Sequence, residues 1–373
     1  MIEVKKDLLL LANINPVKKR RTHRTIREAE ALKAELEKDN FIVDLRFTPS
    51  ADDARKILEE SAGDGRAVIS FGGDGTLRGL VKTEMDIRSR TQQERLTTTV
   101  DAEPEVETDD PRLFIVPRVG SVNLLANAIG MPHFSARRAR KTAEAIKQGL
   151  CYPTDIIGVQ IDGGEMMYAV DNVTLGPSAK IFKGDRPLGL GGPAYALNAP
   201  GAIANAEHLD AEVGFTGEDS TVRRSLATST DFIAQGGANL GLFPKNPGKR
   251  FDDGEIELML LHGVRNPIGT ALMTAGAAIH DSFTGGRPTR SEERIRIQEI
   301  AIFLNKPTPF QMDGDYVEKE DGSGEPSEKI VLVVIPAAIR VLAPDQSKPK
   351  FLRRILGRRA YNGTGEEIKW LDP

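Results

Sequence analysis

The stretch Ala67-Val68-Ile69-Ser70-Phe71-Gly72-Gly73-Asp74-Gly75-Thr76-Leu77 decides how this chain is read. Its first five residues are mostly β-branched or aromatic, the pattern of a strand buried on both faces of a parallel sheet. From Leu77 to Met85 the apolar residues Leu77, Leu80 and Val81 recur at helical spacing. Between strand and helix lies Gly72-Gly73-Asp74-Gly75-Thr76. A turn in that place directs the first N–H groups of the helix at whatever binds there. Glycine permits positive φ and lets a phosphate approach where a Cβ would stand in the way. Asp74 adds a carboxylate suited to Mg²⁺ or a ribose hydroxyl, and Thr76 adds a hydroxyl. Ordinary connecting turns also use Asp-Gly chemistry, so the motif gains weight only from its surroundings.

Upstream, residues 7–12 form a short apolar strand that ends at Asn15-Pro16. Residues 26–38 carry Ala29, Leu32 and Leu36 at helical spacing, 41–47 alternate as a second strand, and 51–62 form a helix with Ser50 as N-cap. The order strand, helix, strand, helix, strand, helix predicts a doubly wound parallel α/β domain over residues 1–150. Residues 84–112, with Thr97-Thr98-Thr99 and the acidic run 101–110, lack periodicity and are expected to be a flexible solvated insertion. Leu113 to Pro117 is another buried strand, followed by Gly120-Ser121-Val122-Asn123, a helix over 124–129 and another over 135–148.

Past Cys151 the texture changes. Segments 156–161, 166–173, 212–215, 229–234, 255–261, 294–303 and 329–334 read as short strands separated by Asp-Gly, Gly-Gly and Asn-Pro turns. They predict a β-sandwich or distorted barrel over 151–343, with one helix at 266–280. Residues 344–373 form a basic tail, packed on the first domain or on a membrane. Its stretch Lys350 to Arg359 mixes apolar and basic residues at roughly helical spacing.

The 373 residues exceed one typical domain and point to two. With 39% hydrophobic and 28% charged residues the chain reads as a soluble globular protein. A formal net charge of −4 argues against a general nucleic-acid binder, although Lys18 to Arg21, Arg353-Arg354 and Arg358-Arg359 are local basic clusters. The single cysteine, Cys151, excludes an intramolecular disulfide and suits a reducing cytosol. No run approaches the roughly 20 apolar residues of a bilayer span. A cytoplasmic protein is expected, with any membrane contact peripheral at the inner face.

Further candidates accompany the glycine turn. Asn15-Pro16 and Thr48 end the first two strands, at the sheet edge where open α/β sheets bind ligands. Lys18 to Arg24 could face phosphates or be a solvated helix start. Gly120, Ser121 and Asn123 lie on a second strand-to-helix turn. Asp252-Asp253-Gly254 is by itself a hairpin turn. Gln311-Met312-Asp313-Gly314-Asp315 sets two carboxylates at i and i+2, which an extended segment would project from one side. Such a pair can divide labour, one carboxylate taking a proton while the other stays ionised or holds a metal. The five histidines lack metal-ligand spacing, and no Gly-x-x-x-x-Gly-Lys-Ser/Thr phosphate loop is present.

Taken in order, Asn15-Pro16, Gly72 to Thr76, Gly120 to Asn123, Asp252 to Gly254 and Asp313 to Asp315 resemble the diacylglycerol kinase catalytic-domain family. That family includes soluble bacterial diacylglycerol kinases, sphingosine kinases and ceramide kinase, and is distantly related to NAD kinases. The resemblance spans about residues 7–344. It includes Gly236-Gly237 and Leu242-Phe243-Pro244 within the segment 235–261. Four departures stand out: Val17-Lys18 where the family has Ser-Gly, Leu77-Arg78-Gly79 for Leu-Asn-Glu, Gly120-Ser121-Val122-Asn123-Leu124 for Gly-Thr-Gly-Asn-Asp, and Asp313-Gly314-Asp315 for Asp-Gly-Glu.

The resemblance implies an ATP site in a cleft between the α/β domain and the β-sandwich, and a lipid substrate met at the membrane surface. Gly72, Gly73, Gly75 and Thr76 would hold the phosphates, and Asn15, Pro16, Thr48, Gly120, Ser121 and Asn123 would fix the nucleotide. Mg²⁺ would be held by Asp74 and Asp253. Asp315, which aligns with the family's catalytic Glu, would take the proton from a diacylglycerol or sphingoid-type hydroxyl, with Asp313 as second candidate. Two other functions stay open: an NAD kinase-like enzyme, faintly suggested by Gly191-Gly192-Pro193-Ala194-Tyr195, or a catalytically silent nucleotide- or lipid-binding protein. The reading involves no nucleic acid and leaves room for a homodimer.

Overall fold

A computed structural model describes residues 2–14, 19–98, 111–119, 123, 125–126, 129–176, 179–180, 209–216, 221–225, 229, 231–235, 252–261, 292–306, 308–317, 329–344 and 366–371. The expected helix at 266–280, the tail stretch 350–359 and the segments 191–195 and 236–250 lie outside these residues. The chain divides into two compact units. One comprises Met1–Thr154, Ala337–Asp345 and Thr364–Pro373, and the other Asp155–Pro336 and Gln346–Gly363. Where the sequence reading gives 1–150, 151–343 and a tail 344–373 packed on the first domain or on a membrane, the first unit also takes in Ala337–Asp345 and Thr364–Pro373.

In the first unit β1 (Ile2–Lys5), β2 (Asp7–Asn13), β3 (Ile42–Thr48), β4 (Ala67–Phe71) and β5 (Leu113–Ile115) alternate with α1 (Lys19–Glu37), α2 (Ala51–Glu60) and α3 (Asp74–Thr98). The apolar run Leu8–Leu11 and the β4 residues Val68 and Ile69 are fully buried, as a central strand covered on both faces requires. Strands β5, β4, β2 and β3 lie side by side and parallel. The chain moves outward from β2 to β3, then back past β2 to β4. With right-handed crossovers this reversal puts α1 and α2 on opposite faces. Consistent with it, α1 packs with α4 (Ala139–Lys147), while α2 packs with α3. Helix α2 opens on the expected cap: Ser50 and Asp53 form a reciprocal capping box.

Two findings revise the sequence reading here. Residues 84–98, expected to be loop, continue α3, which is 25 residues long. Their sequence carries no apolar stripe, but Arg88 donates to the Ala338 carbonyl at 2.6 Å and Arg90 pairs with Glu59 at 2.7 Å. The two ends of the expected insertion, Glu84 and Arg112, form a buried ion pair at 2.8 Å. Arg112 also donates to the Ser61 side chain and carbonyl, at the end of α2. The remainder, residues 99–110, lies outside the described residues. The second revision concerns the tail, where Glu366–Leu371 form a strand, β18. It lies parallel to β1 and antiparallel to β6 (Gly149–Ile161). The sheet curls until Trp370 of β18 meets Phe41 edge to face at 4.9 Å.

The second unit is built from two sheets. One holds β7 (Met167–Ala169), the Asp155–Ile161 part of β6, the first part of β17 (Lys329–Pro344), β14 (Glu299–Leu304), β9 (Ala211–Thr216) and β10 (Thr221–Ser225) in that order. The other holds β13 (Glu292–Ile297), β12 (Ile256–Leu261), β11 (Asp231–Gln235), β8 (Asn172–Leu175), β15 (Phe310–Met312) and β16 (Asp315–Tyr316). Alternate residues of both sheets form one core: Ile157 and Val159, Ile300 and Ile302, Val173 and Leu175, Leu258 and Leu260. This is the interdigitation of a β-sandwich. The single strand expected over 166–173 is two strands in different sheets, β7 paired with β6 and β8 paired with β11 and β15. Strands β6 and β17 each contribute to both units, and β17 does so across Pro336 and Ala337, whose φ is 46°. A proline and a left-handed residue mark a break in a ladder, which is why the sequence pattern ended at Val334.

Candidate active site

The helices following β2 and β4 leave on opposite faces of the first unit's sheet, although the two strands are neighbours. That is a topological switch point, where the carboxyl ends of adjacent strands leave a crevice. At this edge Phe71 gives way to Gly72-Gly73, and α3 begins at Asp74. The Gly73 carbonyl accepts the first helical N–H groups, from Thr76 at 3.0 Å and Leu77 at 3.2 Å. Asp74 stands in the first turn, where the helix dipole favours a carboxylate. Gly75 is exposed, while Gly72, Gly73, Asp74 and Thr76 are half-buried.

Glycine is needed at residue 72 for space rather than for backbone freedom. None of Gly72, Gly73 and Gly75 has φ in the left-handed region. A Cβ on Gly72 would stand 2.4 Å from Thr76 Oγ1 and 2.6 Å from Thr76 Cβ. Thr76 thus lies directly on the Gly72 backbone. Its hydroxyl accepts a 2.9 Å hydrogen bond from Asn13 Nδ2, at the end of β2. Asn13 was missed by sequence reasoning, which chose Asn15 two residues on. Its signal in the sequence is that it directly follows the apolar strand pattern of residues 7–12.

Other expected nucleotide contacts fare differently. Thr48 is buried and its hydroxyl donates to the Ala12 carbonyl at 3.4 Å, which ties β3 to β2. Asn123 is buried with φ 57°, the left-handed conformation that asparagine tolerates. Asn15, Pro16, Gly120 and Ser121 lie outside the described residues. Of the basic run, Arg24 pairs with Glu28 one turn along α1 at 3.0 Å.

The acidic motif belongs to the second unit, and it is not extended. Met312 pairs with Asp315 across a two-residue turn in which Asp313 has φ 50° and Gly314 φ 82°. Both central residues in the left-handed region make a type I′ hairpin, the turn that Asp-Gly favours. The two carboxylates therefore do not share a face. Asp313 is buried, and its carboxylate accepts three backbone N–H groups: Val170 at 2.9 Å, Asp171 at 2.8 Å and Asn172 at 3.1 Å. Both its oxygens accept main-chain N–H groups of the segment 170–172. Asp315, half-buried at the start of β16, remains the candidate base.

Gln311, also unforeseen, is fully buried beside this turn. Its Oε1 accepts the Gly314 N–H at 2.7 Å, and its Nε2 donates to Asn172 Oδ1 at 2.6 Å and Thr174 Oγ1 at 2.7 Å. Asp253 Oδ1 caps the Glu255 N–H at 3.2 Å, and the Gly254 N–H is taken by the buried Asp155 at 2.7 Å. Among the described residues no group of three or more His, Cys, Asp or Glu side chains is arranged to hold a metal. Mg²⁺ does not require such a cage, since it is commonly held by one or two carboxylates together with phosphates and water.

Residues 9–159 match the family model described as the diacylglycerol kinase catalytic domain. No curated protein matches the chain. Among solved structures, one of a provisionally assigned diacylglycerol kinase from Bacillus anthracis str. Sterne is similar with a TM-score of 0.59 and 16% identity. It covers 91% of this chain and 98% of the other. A second, described in the same terms, has a TM-score of 0.58 at 15% identity, over 90% and 96% of the two chains. A structure of a diacylglycerol kinase from that organism has a TM-score of 0.56 at 13% identity, over 91% and 98%. At these identities the likeness is one of fold, and it spans both units. Residues 9–159 are thus similar to the diacylglycerol kinase catalytic domain.

Proposed function

We propose that this chain is an ATP-dependent lipid kinase that transfers the γ-phosphoryl group of ATP to the hydroxyl of a diacylglycerol or sphingoid-type lipid. The observation that carries the proposal is the turn at the topological switch point: a strand running into Gly72-Gly73, a helix N-terminus at Asp74, and Thr76 fixed by Asn13. Phosphoryl transfer depends mainly on positioning and charge neutralisation. The main chain of Gly72 to Thr76 would hold the phosphates against the start of α3. Asn13 orients Thr76. Asp315 would take the proton as the acceptor oxygen bonds to the γ-phosphorus and the bond to the β-phosphate oxygen breaks, releasing ADP. Asp74 at the helix start suits Mg²⁺, which when bound would neutralise phosphate charge.

A lipid acceptor calls for contact with a membrane surface. Among the described residues no helix is long and apolar enough to cross one. Peripheral contact through the basic residues of the tail is proposed. Because residues 366–371 form β18, truncation would disturb the first unit's sheet. Replacing Arg353, Arg354, Arg358 and Arg359 by Gln and measuring sedimentation with anionic vesicles tests the tail without that side effect. Each basic residue near such a surface contributes about 1 kcal/mol, so a large loss of binding is expected.

The function itself is tested by incubating the protein with γ-labelled ATP, Mg²⁺ and a total lipid extract, with the product identified by mass. Label in a phosphorylated lipid supports the proposal. Label on NAD, when NAD is supplied in place of the lipid extract, favours the NAD kinase-like alternative, and ATP binding with no transfer favours a silent binding protein.

A further inference from the structure

The acidic turn holds a carboxylate that the proposed reaction does not use. The chain leaves β7, which pairs with β6, and enters β8, which pairs with β11 and β15. At this change of sheet the N–H groups of Val170, Asp171 and Asn172 are buried and turned to the Asp313 carboxylate, which bonds all three. The Asp313 N–H returns a bond to the Asn172 carbonyl at 3.0 Å. Gln311 holds the next residue, Gly314, and is itself tied to Asn172 and Thr174 on β8. The two turn residues preceding Asp315 are therefore fixed to the start of β8.

We infer that Asp313 is a positioning residue, which with Gln311 sets where the Asp315 carboxylate stands by tying its hairpin to the sheet-switch segment 170–172. This rests on the proposed role of Asp315 as proton acceptor. Only Gly314 separates Asp313 from Asp315, so a shift of the clamped turn passes into β16 directly. An Asn at 313 would present an amide N–H₂ where one oxygen now accepts a backbone N–H. A Glu would carry its carboxylate one methylene too far to receive three adjacent donors.

The test compares the full-length protein with Asp313→Asn and with Gln311→Met, which has similar volume but no amide. Measured are kcat, KM for ATP, the pH dependence of kcat and deuterium uptake by the segment 167–175. Misplacement of a reacting group by about 1 Å costs roughly a hundredfold in rate, so a fall in kcat of about ten- to a hundredfold is expected in each variant. KM for ATP and the rising limb of the pH profile should stay as in the wild type, because the titrating base is unchanged. Uptake at 170–172 should rise in Asp313→Asn. Wild-type kcat in Asp313→Asn overturns the inference. So does loss of the rising pH limb with unchanged uptake, which would make Asp313 the base itself. If Asp313→Asn does not fold, Gln311→Met decides, and wild-type kcat in that variant overturns the inference. A wild-type protein that phosphorylates no lipid overturns the proposed function instead; the clamp then stands or falls on whether uptake at 170–172 rises in Asp313→Asn.

Discussion

The turn after β4 and the turn between β15 and β16 are both Asp-Gly turns, yet they use their residues in opposite ways. After β4 the main chain is left accessible at a helix start, and side chains such as Asn13 and Thr76 brace it. Between β15 and β16 the main chain of other residues converges on a side chain, and Asp313 is consumed in holding it. A carboxylate next to glycine is thus not a catalytic signal by itself. What separates the two cases is whether the fold's own side chain already accepts the neighbouring N–H groups. At Val170 to Asn172 the chain is changing sheets, and Asp313 supplies what the ladder does not.

If that comparison holds, changes at the second turn cost turnover and changes around the first cost nucleotide affinity. Asp315→Asn should have the largest effect, lowering kcat by about two to four orders of magnitude while leaving ATP affinity intact. Retention of more than a tenth of the rate in steady-state assays would break the assignment. Next comes Glu84→Gln, which removes one partner of the buried pair anchoring α3 to the start of β5. Breaking such a pair leaves a buried charge, and a loss of about 3 kcal/mol is expected by urea titration. Gly72→Ala forces a Cβ against Thr76 and should cost about 2 kcal/mol together with much of the ATP affinity measured by calorimetry. An unchanged affinity would show that the turn does not hold the nucleotide.

Asn13→Ala loses one partly solvated hydrogen bond, about 1 kcal/mol, and should raise KM for ATP several-fold with kcat little changed. The smallest effect lies away from both turns. Burial raises the Asp44 carboxyl, but its hydrogen bonds and charge contacts with Arg46 and Arg66 outweigh that and hold it below its ordinary 3.8. A depressed folded-state value gives stability that is present above 3.8 and lost as the pH falls through the folded-state value. The stability gap between wild type and Asp44→Asn should therefore be constant at neutral pH and close under acid conditions. A gap that persists there would contradict the ion-pair account.

How much of this was legible in the sequence follows from how local each cause is. The apolar runs at Leu8–Leu11 and Val68–Ile69 and the capping pair Ser50 and Asp53 act within a few residues, and they announce β2, β4 and α2. The glycine turn was legible as a strand-to-helix turn, but the reason for Gly72 was not, since it depends on where the Thr76 side chain lies. The continuation of α3 through residues 84–98 escaped because contacts to Ala338, Glu59 and Arg112 hold it, not an apolar stripe. The break at Val170 was invisible for the same kind of reason: its cause is a carboxylate 143 positions away. β18 is short and charged, and only its pairing with β1 and β6 makes it a strand.

The central claim is that the main chain after β4 grips the phosphates of a nucleotide. Deuterium uptake across the whole protein, with and without ATP and Mg²⁺, tests it most directly. Protection concentrated in residues 72–77 and weakened in Gly72→Ala is the predicted result. Protection that appears elsewhere while residues 72–77 exchange as before would contradict it.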